Sequence, residues 1–79
     1  MKVYLIYDDF DGDYVMIHKE STFCEQEKAC FDSRDKAVTF IKGYLIGCTK
    51  IKAKGNTFTY YDPDDEMRKK IHIDEINVR

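Results

Sequence analysis

Apolar and polar residues along the first third of the chain have the pattern of a β-hairpin followed by a loop. Residues 2–8 are mostly β-branched or aromatic, and residues 14–19 have a similar composition, so each segment predicts a strand. The intervening residues 9–13 contain aspartates and a glycine, which accept the backbone conformations of a turn. Residues 20–31 have no regular period and predict a loop, with a short strand near residues 28–31.

The clearest periodicity in the sequence is that of a helix. Asp32 or Ser33 provides an N-cap, because the side-chain oxygen of either residue can accept a backbone N–H group of the first turn. The apolar positions that follow recur with helical spacing and form one stripe: Ala37, Phe40, Ile41, Tyr44, Leu45 and Cys48. Gly47 suits the position just after the helix. Gly43 costs about 1 kcal/mol relative to alanine inside a helix, so we expect it to mark a close packing contact.

A second hairpin is predicted for residues 50–61. Residues 50–54 alternate between lysine and apolar residues with a period of two, as a half-buried strand does. Gly55 and Asn56 form a two-residue turn of the type with glycine first. Residues 57–61 then return as the partner strand.

The chain ends in a turn and a last strand. Residues 62–65 have turn composition, and we expect the chain to continue as a single helical turn through residues 66–68. Residues 71–78 predict the last strand, whose apolar residues change phase in the middle. A β-bulge at residues 74–75 would bring all of the apolar residues to one face: Ile71, Ile73, Ile76 and Val78.

Together these elements predict one domain, residues 1–79, of the α+β class. The order along the chain is ββαβββ, with a single antiparallel sheet and one helix packed on one face. Because the helix has one apolar stripe, the other face of the sheet is expected to be open. An open face of this kind is suited to a partner or to a second copy of the chain, so a homodimer is one expectation.

The charged residues are separated into blocks. Residues 8–35 have nine acidic and three basic residues, whereas residues 36–60 have five lysines and no acidic residue. Residues 62–79 have six acidic and four basic residues, and the formal net charge of the chain is −2. Such polarity affects the choice of partner and the rate of encounter. The small net charge argues against bulk binding to nucleic acid or to an anionic membrane, but it permits a local basic patch.

Cysteine usage and hydropathy indicate a cytoplasmic protein. The three cysteines, Cys24, Cys30 and Cys48, match no zinc or redox spacing, so we expect free thiols in a reducing compartment. A Cys24–Cys30 disulfide is the alternative. The apolar run at residues 3–7 is too short for a signal peptide or a membrane span.

The residues that could perform chemistry form no catalytic motif. His18 and His72 have no neighbours at metal-ligand spacing, and no glycine-rich phosphate loop is present in the sequence. Asp9, Asp11, Asp13 and Glu20 have the spacing of a calcium loop, but Tyr14 stands where the loop needs glycine. We therefore expect no enzymatic activity, no catalytic residue, no metal and no cofactor.

Two groups of residues are candidates for binding. Asp9, Phe10, Asp11 and Asp13 could form a docking tip for a protein, because exposed aromatics flanked by charge are typical interface anchors. The alternative is a nucleic-acid site formed by Lys50, Lys52, Lys54 and Tyr60, since lysines hold phosphates and aromatics stack on bases. Depending on the register of the hairpin, the lysines lie beside either of two sets: Thr57, Thr59 and Tyr61, or Phe58 and Tyr60. Lysines that only protect an edge strand from aggregation would have the same pattern.

Three segments, residues 1–8, residues 31–41 and residues 71–78, carry a resemblance to other proteins. Their layout resembles small uncharacterised ββαβ-type proteins of phages and mobile elements of low-GC bacteria. Residues 50–61 are an addition to that pattern. The resemblance implies a small accessory protein that binds a host or rival protein, such as an inhibitor of a defence nuclease. It assigns no catalytic residue.

Overall fold

The structure, a computed structural model, describes residues 1–18 and 26–78. One helix and several strands follow one another along the described chain. In order, they are β1 (Lys2–Asp8), β2 (Asp13–Tyr14), β3 (Met16–His18), β4 (Gln26–Lys28), β5 (Cys30–Phe31), α1 (Arg34–Tyr44), β6 (Thr49–Lys54), β7 (Thr57–Asp62) and β8 (Met67–Asn77). The α+β class, with an antiparallel sheet and one helix, is confirmed for this part of the chain.

The main sheet has the strand order β2-β1-β8-β7-β6, and β5 pairs with β1 beside β2. All pairings are antiparallel, and β1 and β8 are matched without interruption from Lys2 opposite Asn77 to Asp8 opposite Ile71. Strands β3 and β4 form a separate two-stranded sheet. The predicted order ββαβββ is therefore too simple, since the segments on either side of residues 19–25 contribute four short strands.

The second predicted strand is divided at Val15. The Val15 amide donates to the carbonyl oxygen of Ile6 at 2.8 Å, and its own carbonyl accepts from the amide of Ala29 at 3.0 Å. Val15 and Ala29 are buried, and they lie between β2 and β3 and between β4 and β5. The short strand expected near residues 28–31 occurs as β4 and β5, while Lys19 and the loop predicted over residues 20–25 lie outside the described residues.

Helix α1 begins after Ser33, whose hydroxyl accepts a hydrogen bond from the Lys36 amide at 3.2 Å. This contact satisfies one of the free N–H groups of the first turn and confirms the predicted cap. Gly47 has a φ of +90° and lies in the turn after the helix, as expected. The prediction of a close packing contact at Gly43 is wrong, because a Cβ atom added there would meet no atom within 4 Å.

The core lies between α1 and one face of the sheet. The helix buries Ala37 and Ile41, and Leu45 is buried at the C-cap position that follows it. The sheet contributes Ile6 from β1, Phe58 and Tyr60 from β7, and Ile71 and Ile73 from β8. These strand residues alternate with residues of the opposite, helix-free face, as the pleat of a strand requires.

Two details of the last strand differ from the prediction. Strand β8 already begins at Met67, so the helical turn expected over residues 66–68 is absent from the described chain. No bulge occurs at residues 74–75, because the register with β1 continues through them. Ile76 therefore lies on the helix-free face with 37 % of its surface exposed. The irregularity is in β6 instead, where the register shifts between Thr49 and Lys52.

Candidate functional site

Two acidic turns that are distant in sequence meet at one end of the sheet. Strands β1 and β7 both run antiparallel to β8, so their carboxyl ends lie at the same end. The turns that follow them, together with the end of α1, enclose a groove of about 470 Å³. We call it the acidic groove; the carboxylates among its lining residues are Asp8, Asp11, Asp62, Asp64 and Asp65.

Large apolar side chains are exposed in the same groove. Phe10 is 50 % exposed, Tyr44 is 43 % exposed and Ile46 is 83 % exposed, and all three line the groove. Phe10 comes from the turn after β1, whereas the other two come from the last turn of α1 and the residues just after it. The groove therefore combines negative charge with apolar surface that is accessible to a partner.

Asp8 connects the turn after β1 to the helix. Only 6 % of its surface is exposed. Its Oδ1 atom accepts backbone N–H groups from Phe10 at 2.9 Å and from Asp11 at 3.4 Å, and its Oδ2 atom accepts the Tyr44 hydroxyl at 3.3 Å. Burial, and next the charge of Asp8, raise the pKa of Tyr44. The carboxylate thus fixes the turn that presents Phe10.

Among the described residues, Lys69 is the one cation that lines the acidic groove. Its ammonium group lies 3.0 Å from Asp62 and also pairs with Asp65, and it is 4.2 Å from the centre of the Phe10 ring. Hydrogen bonds to Asp65 and Asp62 raise the pKa of Lys69, and the hydrogen bond from Lys69 lowers the pKa of Asp62. Lys69 therefore holds Phe10 in place and leaves most of the negative charge uncompensated.

The predicted docking tip is divided between two surfaces. Phe10 and Asp11 line the acidic groove. Asp9 instead lies 3.1 Å from the Nδ1 atom of His72, which is on the helix-free side. Asp13 begins β2, and its carboxylate accepts the Tyr14 amide at 2.7 Å. Asp9 and Phe10 also line a second depression, with Thr59, Arg68 and Lys70, so the predicted tip borders both surfaces.

Sequence reasoning missed most of the groove. The acidic run Asp62, Asp64 and Asp65 is visible in the sequence, but nothing local places it beside Phe10. Tyr44 has the spacing of a core position, yet its ring lies at the rim and its hydroxyl reaches Asp8. One signal could have found the groove. Both acidic runs directly follow strands, β1 and β7, and these strands run in the same direction, so the two runs lie at the same end of the sheet.

The lysines of the second hairpin lie on the helix-free face. In an antiparallel pair, residues directly opposite each other share a face. Lys52 is opposite Thr59, which is opposite Lys70, and Lys54 is opposite Thr57. Arg68 is opposite Tyr61, and the ammonium of Lys50 is 5.5 Å from the centre of the Tyr61 ring. We define the basic face as Lys50, Lys52, Lys54, Arg68 and Lys70.

Tyr60 does not belong to the basic face. It is 3 % exposed and points into the core beneath α1, so Tyr61 is the aromatic residue beside the lysines. Burial, and then the charge of Asp8, raise the pKa of Tyr60 to about 12. Sequence alone left both registers open, and the pairing of β6 with β7 selects the one with Thr57, Thr59 and Tyr61.

The positive charge of the basic face is uncompensated within the described chain. None of the ion pairs between described residues includes a member of this face. The carboxylates of Asp9 and Asp74 lie toward β1, and each is 3.1 Å from a ring nitrogen of His72. The five carboxylates of the acidic groove and the five cations of the basic face therefore lie on different surfaces, while Asp9 lines a depression with Arg68 and Lys70.

The described residues include no group of three or more His, Cys, Asp or Glu side chains that could hold a metal ion. Cys30 and Cys48 are free thiols, and Cys24, with its alternative disulfide, lies outside the described residues. Burial raises the pKa of the Cys48 thiol, which disfavours the reactive thiolate.

The one helix of the described chain is too short and too polar to cross a membrane. No family model matches the sequence, and the comparisons with curated proteins and with solved structures give no match either.

Proposed function

We propose that the chain is a small non-enzymatic protein-binding module that docks its acidic groove on a basic surface of another protein. The observation that carries the proposal is the exposure of Phe10, Tyr44 and Ile46 within a groove that has five carboxylates and one lysine. Aromatic anchors inside a charged rim are the usual composition of a protein interface.

The charge of the groove selects the class of partner. Its carboxylates repel phosphates, which disfavours nucleic acid as the ligand of this surface. They attract lysine and arginine side chains and increase the rate of encounter with a basic protein. The exposed apolar side chains then gain free energy when the partner removes them from water.

The resemblance to proteins of phages and mobile elements gives this partner a candidate identity. It implies a host or rival protein, such as a defence nuclease. A nuclease has a basic surface because it must hold the phosphates of its substrate. An acidic groove with apolar anchors is suited to covering such a surface, and this would inhibit the enzyme.

The test combines affinity capture with mapping of the contact. Tagged protein is incubated with a nuclease-treated lysate of a low-GC bacterium, and a photo-crosslinking residue is placed either at position 46, on the groove, or at position 57, on the helix-free face. We expect one stoichiometric protein to crosslink from position 46 only. Crosslinking of the captured protein from position 57 only would contradict the proposal.

Two variants provide the quantitative check. Loss of a desolvated anchor typically costs about 2 kcal/mol of binding free energy. Phe10→Ala should therefore lower the affinity for the captured partner by about 30-fold. Thr57→Ala is the matched control, since it also truncates a side chain but lies on the opposite face. Equal affinity of Phe10→Ala and wild type would show that the groove is not the contact surface.

A further inference from the structure

We propose that the basic face is a second binding site, which takes the phosphate backbone of a single-stranded nucleic acid. This site is independent of the acidic groove, because it uses other residues on the other side of the sheet. Its five cations come from the two strands that flank β7. A row of Thr57, Thr59 and Tyr61 runs between them.

The dimensions of the basic face fit an extended strand of phosphates. Tyr61 lies four residue steps after Thr57 along β7, which corresponds to about 13 Å at the usual rise of a strand. Lys52 and Lys54 border the row on one side, and Arg68 and Lys70 border it on the other. Lys52, Lys54 and Lys70 also line a shallow depression with Thr57 and Thr59, which can donate hydroxyl hydrogen bonds to phosphate oxygens.

Protection of a sheet edge explains only part of this arrangement. Strand β6 is an edge of the described sheet, so lysines on it would be expected to hinder aggregation. Lys70 is on β8, which has β1 and β7 as neighbours, and no edge there needs protection. The convergence of inner-strand and edge-strand cations on one face therefore indicates a ligand with repeated negative charges.

The surroundings favour nucleic acid over an anionic membrane. Phe10 lines a depression with Arg68 and Lys70, but the depression that holds Lys52, Lys54 and Lys70 has no large apolar side chain in its lining, so this part of the face has no group to insert into lipid. Tyr61 is half-buried and lies at one end of the row, beside Lys50. An aromatic ring next to cations on an open sheet is suited to stacking on an unpaired base.

The experiment measures binding of a fluorescent oligothymidylate of about twelve nucleotides to the full chain, by anisotropy, at several salt concentrations. If three to five phosphates are neutralised, the affinity should fall by about 20- to 130-fold between 50 and 200 mM salt. Lys52→Ala combined with Lys70→Ala should weaken binding by at least about 10-fold at low salt. No binding at low salt would overturn the proposal.

The control variant carries the same charge change on the helix: Lys36→Ala combined with Lys42→Ala. If the helix variant lowers the oligonucleotide affinity as much as the variant of the basic face does, the loss reflects net charge alone. The assignment of the site to the basic face would then be wrong. Tighter binding to a duplex of the same length, or binding only to phosphatidylserine vesicles, would also overturn the assignment. The oligonucleotide assay uses no protein partner, and the capture experiment uses a nuclease-treated lysate, so this test and that of the acidic groove fail separately.

Discussion

Replacing Asp8 by alanine removes the acceptor of three hydrogen bonds that hold the turn after β1. The N–O distance is 2.9 Å to Phe10 and 3.4 Å to Asp11, and the hydroxyl of Tyr44 is 3.3 Å away. A hydrogen bond to a charged acceptor contributes about 1.5–3 kcal/mol to the free energy of unfolding. A donor that is left without an acceptor adds the cost of its desolvation. Only the bond from the Phe10 amide is short, and water can reach the turn and replace part of what is lost. We therefore expect Asp8→Ala to lower the free energy of unfolding by about 2 kcal/mol.

A loss of this size is large for a chain of 79 residues. At about 0.05–0.15 kcal/mol per residue, its total stability is on the order of 4–12 kcal/mol. A loss of about 2 kcal/mol should lower the thermal midpoint by about 8–16 °C, measured by circular dichroism. Asp8→Asn keeps an oxygen acceptor and the volume of the side chain, so we expect about half the loss.

The contact between Asp8 and Tyr44 is isolated by a double-mutant cycle. Tyr44→Phe removes only the hydroxyl and should cost about 0.5–1 kcal/mol in the wild type. In the Asp8→Ala background the same change should leave the free energy of unfolding unaltered, because the Tyr44 hydroxyl no longer has an acceptor there. Hydrogen exchange of the Phe10 amide should also become faster in Asp8→Ala. A midpoint within about 2 °C of wild type, together with unchanged exchange, would refute the role assigned to Asp8.

Three further predictions test the packing, the helix and the buried tyrosine. Ile71→Ala should lower the free energy of unfolding by about 2–5 kcal/mol, measured in urea, because Ile71 is fully buried. Ile76→Ala, on the helix-free face, should lower it by less than about 1 kcal/mol. Equal losses would contradict the faces assigned to the two residues. Gly43→Ala should stabilise the chain by about 0.5–1 kcal/mol, since the added methyl meets no neighbour within 4 Å, and a clear loss would reveal a packing contact there. The pKa of Tyr60 is about 12 in the folded chain against 10.0 ordinarily, so the unfolded chain releases this proton first and stability should fall as the pH rises from 10 to 12. Tyr60→Phe should remove that part of the alkaline decline, and an unchanged pH profile would contradict the burial of the hydroxyl.

The elements with local signals were predictable from the sequence. Strand β1, the cap at Ser33, helix α1 and the hairpin of β6 and β7 each depend on spacing or turn residues within about a dozen positions. The turn at Gly55 is an example, because its φ of +61° is the conformation that glycine adopts at little cost. The same local signals predicted the α+β class.

The failures occurred where distant strands decide the outcome. Strand β8 begins four residues earlier than predicted and needs no bulge, because β1 and β7 supply hydrogen-bond partners along its length. The second predicted strand is interrupted at Val15, whose hydrogen-bond partners are Ile6 and Ala29. The period-two pattern specifies which residues share a face within one strand, but it contains no information on the partner or the register.

The two candidate sites illustrate the same division. The sequence by itself determined that acidic and basic residues form separate blocks, and that Phe10 lies in a turn. Only the tertiary structure decided that two acidic turns meet around Phe10, that Tyr61 rather than Tyr60 accompanies the lysines, and that Arg68 and Lys70 join them. The physical reason is that both surfaces are assembled across β8, and the pairing of β8 with its neighbours is set by burial of the whole core rather than by any local segment.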